Sequence, residues 1–217
     1  MKRYLPFIIV GAVALILAGS LIMLYRAKRL PVPTAGTGPE NTPGLHVRGE
    51  PTAPVTLEEF GDFECPPCGK VAEALLQIEK DYGPKLRVIF HQFPLAMHAH
   101  ADDAALASEA ADLQHRFWEM HDQLYREQAV WSKSADVPSL FREYAQKIGL
   151  DVERFEKDMR SPEVRARVDS GQKLGLSRGV TSTPTLFINK TALPATSLNP
   201  PAIHAAIDEA LKENAKP

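Results

Sequence analysis

The sequence predicts an α/β domain of β-α-β…β-β-α order, split by an all-helical insertion and preceded by one N-terminal transmembrane helix. Three observations carry this. Strand-type and helix-type patterns alternate at both ends of the domain. Between them, residues 97 to 177 show helical spacing throughout, a block of about 80 residues. The chain also opens on an apolar run, Leu5 to Tyr25, without a charged side chain.

As a helix, that run of 21 residues spans ~31 Å at about 1.5 Å per residue, the thickness of a hydrocarbon core. Lys2 and Arg3 precede it, and Arg26, Lys28 and Arg29 follow. With the terminal amine counted, the flanks balance, and charge does not set the orientation. A cleaved signal peptide ending at Ala18-Gly19-Ser20 is the competing reading, but the apolar run continues through Leu24. Residues 1–29 are therefore read as a membrane anchor. Residues 30–49, with Pro31, Pro33, Pro39 and Pro43 among glycines and threonines, read as an extended linker. Residues 50–217 form the domain.

Val55 to Phe60 reads as a strand punctuated by Gly61-Asp62. A helix follows from the cysteine motif, with Val71, Leu75, Ile78 and Tyr82 on one face and Gly83-Pro84 as its stop. Leu86 to Phe93 is a second strand, and the intervening helix makes the pair parallel. The helical block begins at Ala101 and includes Phe117 to Tyr125, Leu140 to Ile148, and a helix capped by Ser161 with Pro162 at its first position. Thr185 to Ile188 and Thr191 to Leu193 read as strands around Asn189-Lys190, before a last helix from about Pro201 to Asn214.

Composition excludes several classes. A chain of 217 residues, 44% hydrophobic and 24% charged with net charge -2, is neither disordered nor polytopic. With 25 basic against 27 acidic residues it lacks the footprint of a nucleic-acid binder. Its two cysteines cannot staple a scaffold, but they stand as Cys65-Pro66-Pro67-Cys68. A first cysteine opening a helix has its thiolate favoured by unpaired amides and the helix dipole. The second, one turn on, can attack a mixed disulfide and release the partner. Cys65 is thus expected as the exposed nucleophile and Cys68 as the resolving thiol. Pro66 and Pro67 remove two donors and Asp62 and Glu64 add negative charge, while Lys70 opposes them, so the expected thiolate is activated only moderately. The rival chemistry is metal binding. Structural zinc needs four ligands, and His98 and His100 could complete a set, but an H-x-H at a helix start is more often solvated; a copper-binding module is the non-enzymatic alternative.

Phe60-Gly61-Asp62-Phe63-Glu64-Cys65-Pro66-Pro67-Cys68 resembles the active-site entry of the DsbA-like, thioredoxin-fold disulfide oxidoreductases. Phe93-Pro94-Leu95 with His98 to Ala101, Phe117 to Asp122, and Gly179 to Thr185 are similar to three further segments of that family, in order. The resemblance implies a thioredoxin-like fold with a helical insertion. It implies that Pro184 is cis and packs beside Cys65, and that Thr183 offers its main chain to an extended substrate, with its hydroxyl in reach of the sulfur. Pro66 and Pro67 would flank that substrate. Glu59, six residues before Cys65, stands where relatives carry a buried acid. It shares a strand face with Val55 and Leu57, and Glu58 points the other way. A buried carboxylate there could exchange the Cys68 proton; a solvated glutamate near a strand end is the alternative.

Two departures from the family stand out. Asn189-Lys190 replaces an Asn-Gly hairpin and puts the turn geometry in question, because a type I′ turn would demand positive φ of lysine. Pro-Pro replaces the Pro-His of the strong oxidants and leaves the direction of electron flow open. The expected activity is thiol–disulfide exchange that forms disulfides in extracytoplasmic proteins, by a monomer in the cell membrane served by a membrane redox partner. No cofactor beyond the Cys65–Cys68 pair is expected, and no metal. A reductase or isomerase of the same fold is the alternative.

Overall fold

A computed structural model describes residues 44–215. The expected anchor at Leu5 to Tyr25 lies outside the described residues. Among those described, no helix is long and apolar enough to cross a membrane.

Five strands form one sheet in the order β1-β3-β2-β4-β5. β2 (Val55–Gly61) and β3 (Leu86–Gln92) run parallel, joined by α1 (Pro66–Tyr82). β4 (Thr185–Ile188) lies antiparallel to β2 and continues to the short β5 (Thr191–Ala192). β1 (His46–Gly49) pairs antiparallel to β3, with His46 opposite Phe90. His46 to Gly49, read from the sequence as the end of the linker, are thus part of the sheet. Four residues carry too short an alternation to be read alone, and the strand exists because β3 supplies its ladder.

The hairpin departs from the expected difficulty in a specific way. Asn189, not Lys190, takes the positive φ, at 55°. Its side-chain carbonyl accepts the Thr56 amide at 3.0 Å and its own amide donates to Thr56 O at 2.7 Å. Asparagine tolerates that backbone region better than lysine.

One sheet face is covered by α1 and the last helix, α8 (Pro200–Asn214), capped by Asn199. Val55, Leu57, Leu75, Ile78, Val88, Leu186, Ile203 and Ile207 meet there. Ile203 and Ile207 are fully buried, worth ~1.5–3 kcal/mol each. The opposite face holds Phe60, Phe93, Val180 and Phe187.

The helical block contains α2 (Ala101–Asp112), α3 (Phe117–Arg126), α4 (Gln128–Trp131), α5 (Val137–Lys147), α6 (Val152–Met159) and α7 (Pro162–Ser177). Ser161 caps α7 as expected, its hydroxyl accepting the Val164 amide. Gly171 and Gly175 let α7 lie against β3. A Cβ at Gly171 would stand 2.8 Å from Gln92 O, and one at Gly175 would stand 2.6 Å from the Phe93 ring. Trp131 is wholly buried and donates to Leu124 O, and Trp118 lies under the Arg48 guanidinium, so both tryptophans are packing residues. Cys65 and Cys68 belong to the same apolar cluster as Phe63, Phe90, Leu124 and Trp131. The insertion thus roofs the cysteine motif instead of standing apart from it.

Candidate active site

Cys65 is the N-cap of α1, in extended conformation, with Pro66 and Pro67 as the first helical residues. Both prolines are exposed. The first helical amides after them, Cys68 N and Gly69 N, return to Cys65 O at 3.0 and 3.3 Å. Cys65 is only 5% exposed and Cys68 is fully enclosed, so the nucleophile is less open than the sequence suggests. The two sulfurs are not bonded to each other.

Their electrostatics diverge. The Cys68 thiol, hydrogen-bonding to the Cys65 sulfur, is the largest influence on Cys65. With the Cys68 amide, it overcomes burial and the Asp62 charge and lowers the Cys65 pKa to about 6. Burial pushes the Cys68 thiol well above its usual range, and Cys65 and Glu59 push the same way. The lowering at Cys65 comes mainly from the second cysteine.

The Thr183–Pro184 bond is cis and Pro184 is buried. Thr183 O accepts the Cys65 thiol at 3.4 Å, so this loop and the cysteine motif are brought together. Thr183 Oγ1 is buried without a hydrogen-bond partner.

Glu59 is 1% exposed on the face of β2 toward α1, and its Oε1 has no hydrogen-bond partner. Burial and the nearby Cys65 raise its pKa to about 8, with Glu79 adding and Arg48 opposing. Of the two readings open for Glu59, the structure gives the buried one. Glu58 is buried as well, on the other face, where it accepts from Arg178 at 2.7 Å and meets His91 at 2.9 Å. Burial works against its charge, but those two partners hold its pKa below the ordinary value.

The loop before Cys65 is tied down by hydrogen bonds that the sequence pattern did not indicate. Buried Asp62 accepts from the Glu64 amide at 2.7 Å and the Leu95 amide at 2.9 Å, and its Oδ2 lies 2.7 Å from His98 Nδ1. Glu64 accepts the His100 amide at 2.6 Å. Gln128, from α4, donates one amide nitrogen to Phe63 O at 2.6 Å and Cys65 O at 2.9 Å. His98 therefore serves the loop as a partner of Asp62, not as a solvated histidine. A three-residue grouping with metal-ligand atoms occurs elsewhere, at His46, Glu109 and Asp112. There the carboxylates meet opposite ring nitrogens of His46, at 2.6 and 3.5 Å, an ion-pair arrangement instead of a shared coordination point.

Among curated proteins, 149 residues of the chain are 43% identical to a Na(+)/H(+) antiporter NhaA 1 of Mycolicibacterium gilvum. That match takes in 66% of this chain and 23% of the antiporter's length. Among solved structures, a thioredoxin-like oxidoreductase from Silicibacter pomeroyi is 28% identical with a TM-score of 0.66, over 79% of this chain and 95% of that one. BdbD from Bacillus subtilis is 25% identical with a TM-score of 0.70, over 78% of this chain and 94% of that one. Wolbachia pipientis alpha-DsbA1, at 19% identity and a TM-score of 0.66 over 80% and 94%, shares the fold. The profile described as Thioredoxin matches residues 41–209, most of the described chain and both cysteines. The chain belongs to the thioredoxin family, with DsbA-like disulfide oxidoreductases as its structural neighbours.

Proposed function

We propose that the protein forms disulfide bonds in other proteins through a Cys65–Cys68 redox pair. The carrying observation is the asymmetry of the two sulfurs, with Cys65 lowered to about 6 and Cys68 raised. A thiol that ionises easily is a good leaving group, and its stable thiolate favours the reduced enzyme, the property of an oxidant.

A substrate thiolate attacks Cys65 Sγ of the disulfide. The Cys65–Cys68 bond breaks and its electron pair stays on Cys68. Glu59, whose carboxyl burial pushes toward the protonated form, hands its proton to the departing Cys68 thiolate. A second substrate thiol attacks the substrate sulfur of the mixed disulfide and expels Cys65 as a thiolate. The substrate is oxidised by two electrons and the enzyme is left as a dithiol. A membrane redox partner then takes those electrons. Thr183 and Pro184 line the approach to Cys65, and the Thr183 main chain receives an extended substrate segment between them and the exposed Pro66 and Pro67.

The reading places the domain on the extracytoplasmic side, as a monomer held by residues 5–25. It rests on the chemistry, because disulfides persist in oxidising compartments. The test is the equilibrium reduction potential of the pair in the full chain. A value of about -120 to -180 mV supports disulfide donation, and about -270 mV or below makes the protein a reductase. Cys65→Ser abolishes exchange and Cys68→Ser accumulates mixed disulfides. Undiminished turnover in Cys65→Ser sinks the scheme.

A further inference from the structure

Among the buried side-chain polar atoms without a hydrogen-bond partner are the Glu59 Oε1 already described and the Tyr125 hydroxyl. Buried polar groups are otherwise nearly always paired, and an exception calls for a reason. Tyr125 comes from α3, in the insertion, and its ring packs on Phe63 with centroids 4.9 Å apart. Its hydroxyl reaches over the end of β2. A Cβ at Gly61 would stand 3.0 Å from that oxygen, so the absence of a side chain there leaves the hydroxyl its place. Gly61 and Glu59 are two apart on one strand and share a face. Cys68 belongs with Tyr125 and Phe63 to one buried cluster beside that strand end. Tyr125, Glu59 and Cys68 therefore converge on one bend of the chain, and each is closed to solvent.

We infer that Tyr125 is a positioning residue for the exchange reaction, a hydroxyl held without an acceptor until Cys68 or Glu59 becomes an anion. This deepens the proposed reading and rests on its Glu59–Cys68 proton transfer. When the Cys65–Cys68 bond breaks, the electron pair left on Cys68 is a buried charge, and the Tyr125 O–H turns to donate to it. Glu59 then gives up its proton to Cys68, and the same donor is available to the Glu59 carboxylate that results. In the opposite direction Cys68 Sγ–H gives its proton to Glu59, the thiolate attacks the Cys65 mixed disulfide, and the partner leaves as a thiolate. Tyr125 begins and ends each cycle as a neutral phenol. Burial and the surrounding anionic groups, Cys68 first, raise its own pKa well above the usual value, which keeps it a donor. Such a donor stabilises a charge that exists only during the step.

The test uses the full chain carrying a glutathione mixed disulfide on Cys65. The rate at which Cys68 releases glutathione is followed against pH. In Tyr125→Phe the release slows about tenfold or more, the scale of a hydrogen bond to a charge, and the pH midpoint moves up. Its thermal midpoint is unchanged or higher, because the deleted hydroxyl had no partner. Installing 3,5-difluorotyrosine at 125, a stronger donor of nearly the same shape, moves the midpoint down and covers the case in which the phenylalanine variant folds poorly. Wild-type rate and midpoint in both variants overturn the inference. Glu59→Gln is run alongside. Slowing in Glu59→Gln alone removes Tyr125 and leaves the proton-transfer reading standing, whereas no effect in any of the three removes both.

Discussion

Glu58 and Glu59 are consecutive residues of β2, both buried, and they face opposite layers of the molecule with opposite electrostatic outcomes. Glu58 meets Arg178 and His91 and is held as a carboxylate. Glu59 faces α1 with an unpartnered oxygen and holds a proton up to a pH of about 8. One glutamate is held between charged partners and the other keeps an oxygen without any.

Removing each therefore has a different effect. Glu58→Ala leaves the buried Arg178 guanidinium unmatched and costs about 3–5 kcal/mol in denaturant unfolding, with exchange per folded molecule retained. Glu59→Gln acts the other way on stability. The native carboxyl keeps its proton to a pH of about 8, whereas the unfolded one loses it near 4.5. Its contribution is thus full below that lower value and is lost as pH rises to about 8. Glu59→Gln is accordingly more stable than the wild type at pH 8 and equal to it in acid, while its exchange is slower.

Cys65 titrates in the opposite sense. Alkylation followed by mass spectrometry is expected to give a single reactive thiol in the reduced protein, with a midpoint at about 6. Cys68 stays unmodified until the chain unfolds. The native thiolate binds fewer protons than the unfolded thiol between about 6 and 9.0, so this group adds stability as pH climbs through that window. The Cys65→Ala variant lacks the gain, and a flat difference between the two proteins across the window counts against the assignment.

Gln128 holds the strand-to-helix loop from the insertion side. Gln128→Ala leaves Phe63 O and Cys65 O without that donor and costs about 1–3 kcal/mol in unfolding. Exchange slows more than this loss of folded protein accounts for, because the Cys65 backbone is no longer fixed against Thr183. Equal thermal midpoints and equal exchange rates in the two proteins contradict the clamp.

His98 reports on the same loop. Burial lowers its pKa, but the Asp62 bond and charge outweigh it and raise the value above 6.5. The stability it supplies is present below 6.5 and is lost as pH passes through the raised value. Proton NMR titration of the His98 ring is expected to show a midpoint above 6.5 in the wild type and a lower one in Asp62→Asn. An unchanged midpoint refutes the pairing.

The sequence by itself determined the family, the cysteine spacing and most of the element order. Cysteine spacing depends on one helical turn, and the 3.6- and 2-residue periods mark which faces are buried, so both are local properties. The parallel β2–β3 pair, the Ser161 cap and the helical block, read as 97–177 and helical from Ala101, were legible for that reason. Tertiary structure alone decided what each buried face meets. β1 is four residues long and takes its hydrogen bonds from β3, so nothing within it announced a strand. Periodicity placed Glu58 and Glu59 on opposite faces without saying that Arg178, 120 positions away, neutralises the first. Gln128 and Tyr125 sit more than sixty residues from Glu59 and carry no motif. They matter because the insertion folds back over Cys65, and only packing brings donors so distant in sequence to the same few ångströms.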